Sequence, residues 1–187
     1  MRPAKPHNSC VIAGALLFSS EGMLSVAWKV LIERGNLSFS AAHFITFDEH
    51  TAEPLHGHNY GVRVEVTGDL NADSYVLDFV ALKTITRDIC KELDHQFLLP
   101  RRSKHLEIAE HPSEWEIRFA DQRYLLPRAS VVVLPVDNAT AERLAEYLAG
   151  RISERLHALG AANLRTLTVG VEETEMQTAF YSMDLRA

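Results

Sequence analysis

The stretch HGHNYGVRVEVTG, residues 56–68, decides the fold. Tyr60, Val62, Val64 and Val66 alternate with Gly61, Arg63 and Glu65, and Thr67-Gly68-Asp69 ends the run. Successive side chains of a strand point to opposite faces, so this alternation describes an antiparallel strand with one packed face and one wet face. Upstream, LSFSAAH (37–43) predicts a partner strand, with Phe39, Ala41 and His43 sharing a face. Before it, LSVAWKVLIER (24–34) reads as a further strand closed by Gly35-Asn36. Residues 44–55 carry acids, a proline and no periodicity, and read as a loop.

Downstream the period changes. A helix is expected from near Asp78, a suitable N-cap, to about Leu93, because Leu82, Ile85, Ile89 and Leu93 form one apolar stripe. A second is expected from about Thr140 to Leu159, with Leu144, Leu148, Ile152 and Leu156 on one face, Asn138 or Thr140 as cap and Gly160 as stop. Leu164–Glu172 and Gln177–Leu185 read as two closing strands. In the long connection 96–137, EWEIRF (114–119) and RYLLP (123–127) flank Ala120-Asp121-Gln122, a hairpin with a three-residue turn, and 130–135 is a short apolar run. This order predicts an α+β fold: an antiparallel four-stranded sheet with two helices on one face, plus an inserted hairpin between the helices.

The chain of 187 residues is long enough for one domain over 23–187, with 96–137 as an insertion. The segment 1–22 is expected to be a disordered arm or an over-extended reading frame whose true start is Met23. Its apolar run Cys10–Phe18 is too short for a membrane span and lacks a small-x-small cleavage site. A net charge of -6 argues against a nucleic-acid partner, whose phosphates call for Lys and Arg. Two cysteines make no disulfide framework, so a reducing, cytoplasmic setting is expected. Nine histidines are the compositional oddity.

Three groups of residues carry candidate chemistry. His56 and His58, at i and i+2 of a strand, face the same way, and His43 ends the preceding strand. If those strands pair antiparallel, three imidazoles meet, the donor set of an open catalytic zinc site. A lone His-x-His is also at home as a surface pair or as satisfied core histidines. Asp94-His95, just past the first helix, suits a tautomer-fixed acid or base, and equally a solvated helix end. Glu173 shares parity with Leu167, Val169 and Val171, so it faces the packed side, where a carboxylate needs a donor-rich partner unless it reaches water.

Phe39-Ser-Ala-Ala-His43, His56-Gly-His-Asn-Tyr60, Asp78-Phe79, Leu93-Asp-His95, Thr140-Ala-Glu142 and Val171-Glu-Glu-Thr174 together resemble, in order, the 6-pyruvoyltetrahydropterin synthase family and its 6-carboxytetrahydropterin synthase relatives. The resemblance covers about residues 24–185. It implies the tunnelling (T) fold and a homo-oligomer, commonly a hexamer, with active sites between subunits. It also implies Zn2+ held by His43, His56 and His58, proton transfer by Asp94 and His95, and a pterin anchored by Glu173 with Thr140 lining the pocket. The implied substrate is 7,8-dihydroneopterin triphosphate, with Arg101 and Arg102 as candidates for its phosphates. One departure matters: family members carry a cysteine base shortly before the His-Gly-His, and here that loop reads EHTAEPL (49–55) without one. Glu53 stands in Glu-x-x-His-Gly-His, resembling the branch in which glutamate replaces the cysteine and the product is 6-hydroxymethyl-7,8-dihydropterin. The alternatives are 6-carboxytetrahydropterin or 6-pyruvoyltetrahydropterin formation, or a non-catalytic zinc- and pterin-binding protein, and an ordinary loop acid is the plain reading of Glu53.

Overall fold

The strand that decides the fold is the spine of the molecule. In the computed structural model, which describes residues 27–33 and 35–186, it is β3 (His56–Gly68). Its inward residues Tyr60, Val62, Val64 and Val66 are almost fully buried. Two strands lie end to end along one edge of β3, both antiparallel to it. β1 (Trp28–Ile32) pairs Ile32 with Val64, and β2 (Ser38–His43) pairs Phe39 with Tyr60 and His43 with His56. The expected arm, 1–22, lies outside the described residues, as do positions 24–26 and 34 of the expected first strand.

Helix α1 (Phe79–Leu93) starts where Asp78 accepts the Val80 N–H at 2.9 Å. Helix α2 (Ala141–Ala158) starts at Thr140, whose hydroxyl accepts the Arg143 N–H, and is followed by Gly160 at φ 69. Leu144, Leu148, Ile152 and Leu156 of α2 are all buried in the main core, which also holds Val64, Val66, Leu82 and Ile89. Each such side chain contributes about 1.5–3 kcal/mol relative to exposure. β9 (Leu164–Thr174) pairs with the other edge of β3, and β10 (Gln177–Asp184) closes that side as a hairpin. Among the described residues no helix is long and apolar enough to cross a membrane.

The α+β order is as expected, but the sheet is larger than four strands. It has seven, because β4 (Gln96–Pro100) pairs parallel with β2, and β8 (Val131–Leu134) pairs parallel with β4. Neither strand alternates. Leu98 packs in the main core, whereas Phe97 and Leu99 pack on the opposite face with Phe44, Trp115 and Ile117. A strand covered on both faces lacks the period-2 signal that exposes an antiparallel one. The cover on that second face comes from the insertion, β5 (Glu107–Glu110), β6 (Glu114–Phe119) and β7 (Gln122–Pro127). The hairpin turn is two residues rather than three: Phe119 pairs with Gln122, and Ala120 takes φ 49, the left-handed start that short hairpin turns require.

Two substitutions test this account by chemical denaturation. Leu148→Ala, at the middle of the α2 stripe, is expected to lower unfolding free energy by about 2–5 kcal/mol. Asp78→Ala, which removes the α1 cap, is expected to cost about 1 kcal/mol.

Candidate metal centre and active site

His43 closes β2, His56 opens β3, and the two are direct partners across the ladder. His58 follows on the same face, so the three rings meet tilted or edge-on with centroids 4.7–5.3 Å apart. Gly57 between them is a matter of space: a Cβ there would stand 3.0 Å from the Ala41 carbonyl oxygen of the paired strand. One ligand nitrogen from each ring lies within 4.8 Å of the other two. Two of the rings are oriented from behind. His43 Nδ1 lies 2.8 Å from the Ala139 carbonyl and His56 Nδ1 lies 2.8 Å from the Pro54 carbonyl. A carbonyl only accepts, so each Nδ1 carries the proton and each Nε2 keeps its lone pair for a metal.

His43 Nε2 is buried without a hydrogen-bond partner. Its charged neighbour is Glu173 Oε1 at 3.3 Å, an acceptor facing an acceptor. A cation between them removes that repulsion, and burial already holds the His43 imidazole below its ordinary value, in the neutral form that ligates. Three imidazole nitrogens with no sulfur ligand fit an open metal site better than a closed structural one.

Two carboxylates flank the imidazoles. Glu173 Oε1 also lies 3.8 Å from His58 Nε2 and accepts the Tyr60 hydroxyl at 3.2 Å. Burial first, and then the Glu173 charge, push the Tyr60 hydroxyl well above its ordinary value, so it stays a donor. Glu53 Oε2 lies 3.8 Å from His56 Nε2, with its side chain 32% exposed. The loop is fastened there: the Glu53 N–H donates to the Ile45 carbonyl at 2.9 Å, and the Ile45 N–H reaches Glu53 Oε2 at 3.4 Å. Beside this cluster opens a hollow of about 710 Å³ whose lining includes Thr46, Phe47, Thr140, Glu173 and Met176. Phe47 and Met176 are exposed apolar side chains on it, suited to a flat ring.

Other expected residues lie elsewhere. Asp94 and His95 do pair, Oδ2 to Nδ1 at 2.9 Å, and the Ser40 N–H, followed by His95, holds the Asp94 carboxyl below its ordinary value. The pair sits at the seam between β2 and β4. His95, largely exposed, borders a hollow whose lining includes Ser40, Ala42, Gly57, Asn59 and, of the three histidines, His58. Within one chain no hydrogen bond or ion pair joins the pair to those histidines among the described residues. Arg101 and Arg102 are exposed where the chain leaves β4, and Arg102 borders a different hollow with Asp137, Arg143 and Tyr147. Cys90 is buried in α1, its thiol pushed up to about 12 by burial and then by Asp94, so it offers no thiolate in place of a loop cysteine. Tyr60 is the functional neighbour that the sequence reading left as plain core. Its signal was a hydroxyl at a packed position, which needs a partner. The carbonyls of Pro54 and Ala139 have no side-chain signal at all.

Known proteins resemble this chain along most of its length. The family model described as 6-pyruvoyl tetrahydropterin synthase matches residues 34–184. A putative 6-carboxy-5,6,7,8-tetrahydropterin synthase of Methanocaldococcus jannaschii is 36% identical over 146 residues, 78% of this chain and 89% of that protein. The solved 6-pyruvoyltetrahydropterin synthase of Plasmodium vivax, in a variant with a catalytic glutamate replaced by alanine, superposes with a TM-score of 0.80 at 32% identity. The match covers 86% of this chain and 99% of that one. A dihydroneopterin monophosphate aldolase of Pyrococcus furiosus is 43% identical over 61 residues, 33% of this chain and 51% of that protein. With the T-fold order of elements, the histidine face of β2 and β3 and a match along most of its length, this chain belongs to the 6-pyruvoyl tetrahydropterin synthase family.

Proposed function

We propose that the protein is a zinc-dependent lyase that cleaves the side chain of 7,8-dihydroneopterin triphosphate to leave 6-hydroxymethyl-7,8-dihydropterin. The observation that carries this reading is Glu53, a carboxylate beside the ligand nitrogen of His56 in the loop that lacks a cysteine. Two relatives support it by what they are called: the Plasmodium vivax enzyme has a catalytic glutamate, and the Pyrococcus furiosus protein is an aldolase on a dihydroneopterin phosphate.

The chemistry is a retro-aldol cleavage. Glu173 accepts the 2-amino and ring N–H donors of the pterin, with Tyr60 fixing its carboxylate. Glu53 takes the proton of the 2′-hydroxyl. As the C1′–C2′ bond breaks, its electron pair passes into the C6=N5 imine of the dihydropterin, and C2′ leaves as an aldehyde bearing the triphosphate. C1′ then takes up a proton, and the balance needs no oxidant or reductant. Zinc on His43, His56 and His58 would make the substrate hydroxyl more acidic and polarise the developing carbonyl. His95, oriented by Asp94, would return the proton.

Because, among the described residues, no hydrogen bond or ion pair joins that pair to the three histidines within one chain, the reading includes a homo-oligomer, a hexamer in the family's manner, in which one subunit's His95 faces the next subunit's histidines. Its setting is cytoplasmic, in keeping with a chain that has two cysteines and a protonated Cys90. A second reading, formation of 6-carboxytetrahydropterin, is favoured by the name of the Methanocaldococcus jannaschii relative and needs a base other than a cysteine of this loop.

Two variants test the assignment. Glu53→Ala is expected to cut turnover about a hundredfold or more, with zinc content by atomic absorption and pterin affinity unchanged. A fully active variant overturns Glu53 as base. Glu173→Ala is expected to weaken pterin binding about 10–100-fold by calorimetry without releasing zinc, from the loss of charge-assisted hydrogen bonds. Undiminished binding would move the pterin elsewhere.

A further inference from the structure

The metal ligands and the candidate base sit on separate pieces of chain, and one side chain joins them. Asn138 lies just before α2, next to Ala139, whose carbonyl orients His43. Its amide grips both backbone groups of Thr46, across 92 positions of sequence. Nδ2 donates to the Thr46 carbonyl at 2.8 Å, and Oδ1 accepts the Thr46 N–H at 3.3 Å. Oδ1 also accepts the Ala139 N–H at 3.1 Å. Thr46 is buried, so its backbone groups have no ready substitute in water.

From Thr46 the fastening continues into the loop. Thr46 bridges Ala52, and its neighbour Ile45 holds Glu53 through both N–H and carbonyl. A single amide therefore sets the distance between the carbonyl behind His43 and the loop that carries Glu53. Ala139 and Thr46 enter these contacts through backbone atoms, and the Asn138 amide is the side chain that joins them. The amide spends both donor and acceptor on the clamp, so no smaller polar side chain reproduces it.

We infer that Asn138, at the rim of the hollow beside the site, is a positioning residue for the reaction: through the backbone it grips, it holds the His43 ring for the metal and the Glu53 carboxylate beside it. The inference rests on the reading of the histidines and Glu53 as the site.

The test uses Co2+ as a probe of the metal site, by the intensity of its ligand-field bands. It adds hydrogen exchange over residues 44–53 and steady-state kinetics on the full chain. Asn138→Ala is expected to weaken Co2+ binding about 10–100-fold, the usual cost of removing support behind a ligand. It should also speed amide exchange across 44–53 and lower kcat more than it raises KM. Asn138→Asp keeps the acceptor but loses the donor to Thr46, and is expected to fall between, so it carries the same comparison if the alanine variant fails to fold. Asp78→Ala, which removes a cap on α1 away from the site, is expected to change none of these beyond its cost in stability. Wild-type Co2+ affinity and unaltered exchange over 44–53 in the Asn138 variants overturn the inference, as do equal changes in Asp78→Ala. If the wild-type chain itself takes up no Co2+, the metal reading has failed. Exchange over 44–53 then still decides whether Asn138 fastens the loop.

Discussion

The structure depends on the register between β2 and β3. Pairing His43 with His56 puts Phe39, Ala41 and His43 on the same face as His56, His58, Tyr60 and Val62. Side chains alternate with period two, so a slip of one residue would send β2's set to the other face. It would turn His43 away from His56 and His58, to the face where Ser40 and Ala42 now stand. The metal face and the hydrophobic core are therefore specified together, by one ladder. The valines of β3 hold the register through packing against the helices, and the histidines occupy the end of the same strand where the packed face opens toward the hollow.

Charge is organised around that opening. Three imidazoles bring one nitrogen each to within 4.8 Å of the others, and two carboxylates stand on either side, Glu53 against His56 and Glu173 against His43 and His58. Acceptors crowded in this way repel one another unless a cation lies among them. The backbone carbonyls of Ala139 and Pro54 make the arrangement obligatory by holding protons on the Nδ1 atoms. The two carboxylates differ in their surroundings. Glu173 is tied to a buried tyrosine and lines the hollow, whereas Glu53 is on a partly exposed loop.

Legibility in the sequence followed periodicity. β3 and both helices were readable because each has one wet side, and the caps Asp78 and Thr140 marked their starts. β4 and β8 were not, since strands covered on both faces look like any short apolar run, and β5 is short and mostly exposed. For the site, His43, His56 and His58 could be brought together on paper by parity alone. Glu53 stood out through a missing cysteine, not through any property of a glutamate in a loop. The relation of Asp94 and His95 to the metal face was beyond reach, because it depends on which edge of β2 the chain returns to after α1. The turn there puts His95 at φ 59 and sends β4 back parallel to β2.

The central claim is that this site breaks a carbon–carbon bond in the pterin side chain with Glu53 as base. The most direct measurement incubates zinc-loaded protein with 7,8-dihydroneopterin triphosphate and identifies the pterin product by chromatography and mass. The account predicts 6-hydroxymethyl-7,8-dihydropterin together with a two-carbon phosphorylated aldehyde. A 6-carboxy or 6-pyruvoyl product, or bound pterin that is never converted, would contradict it.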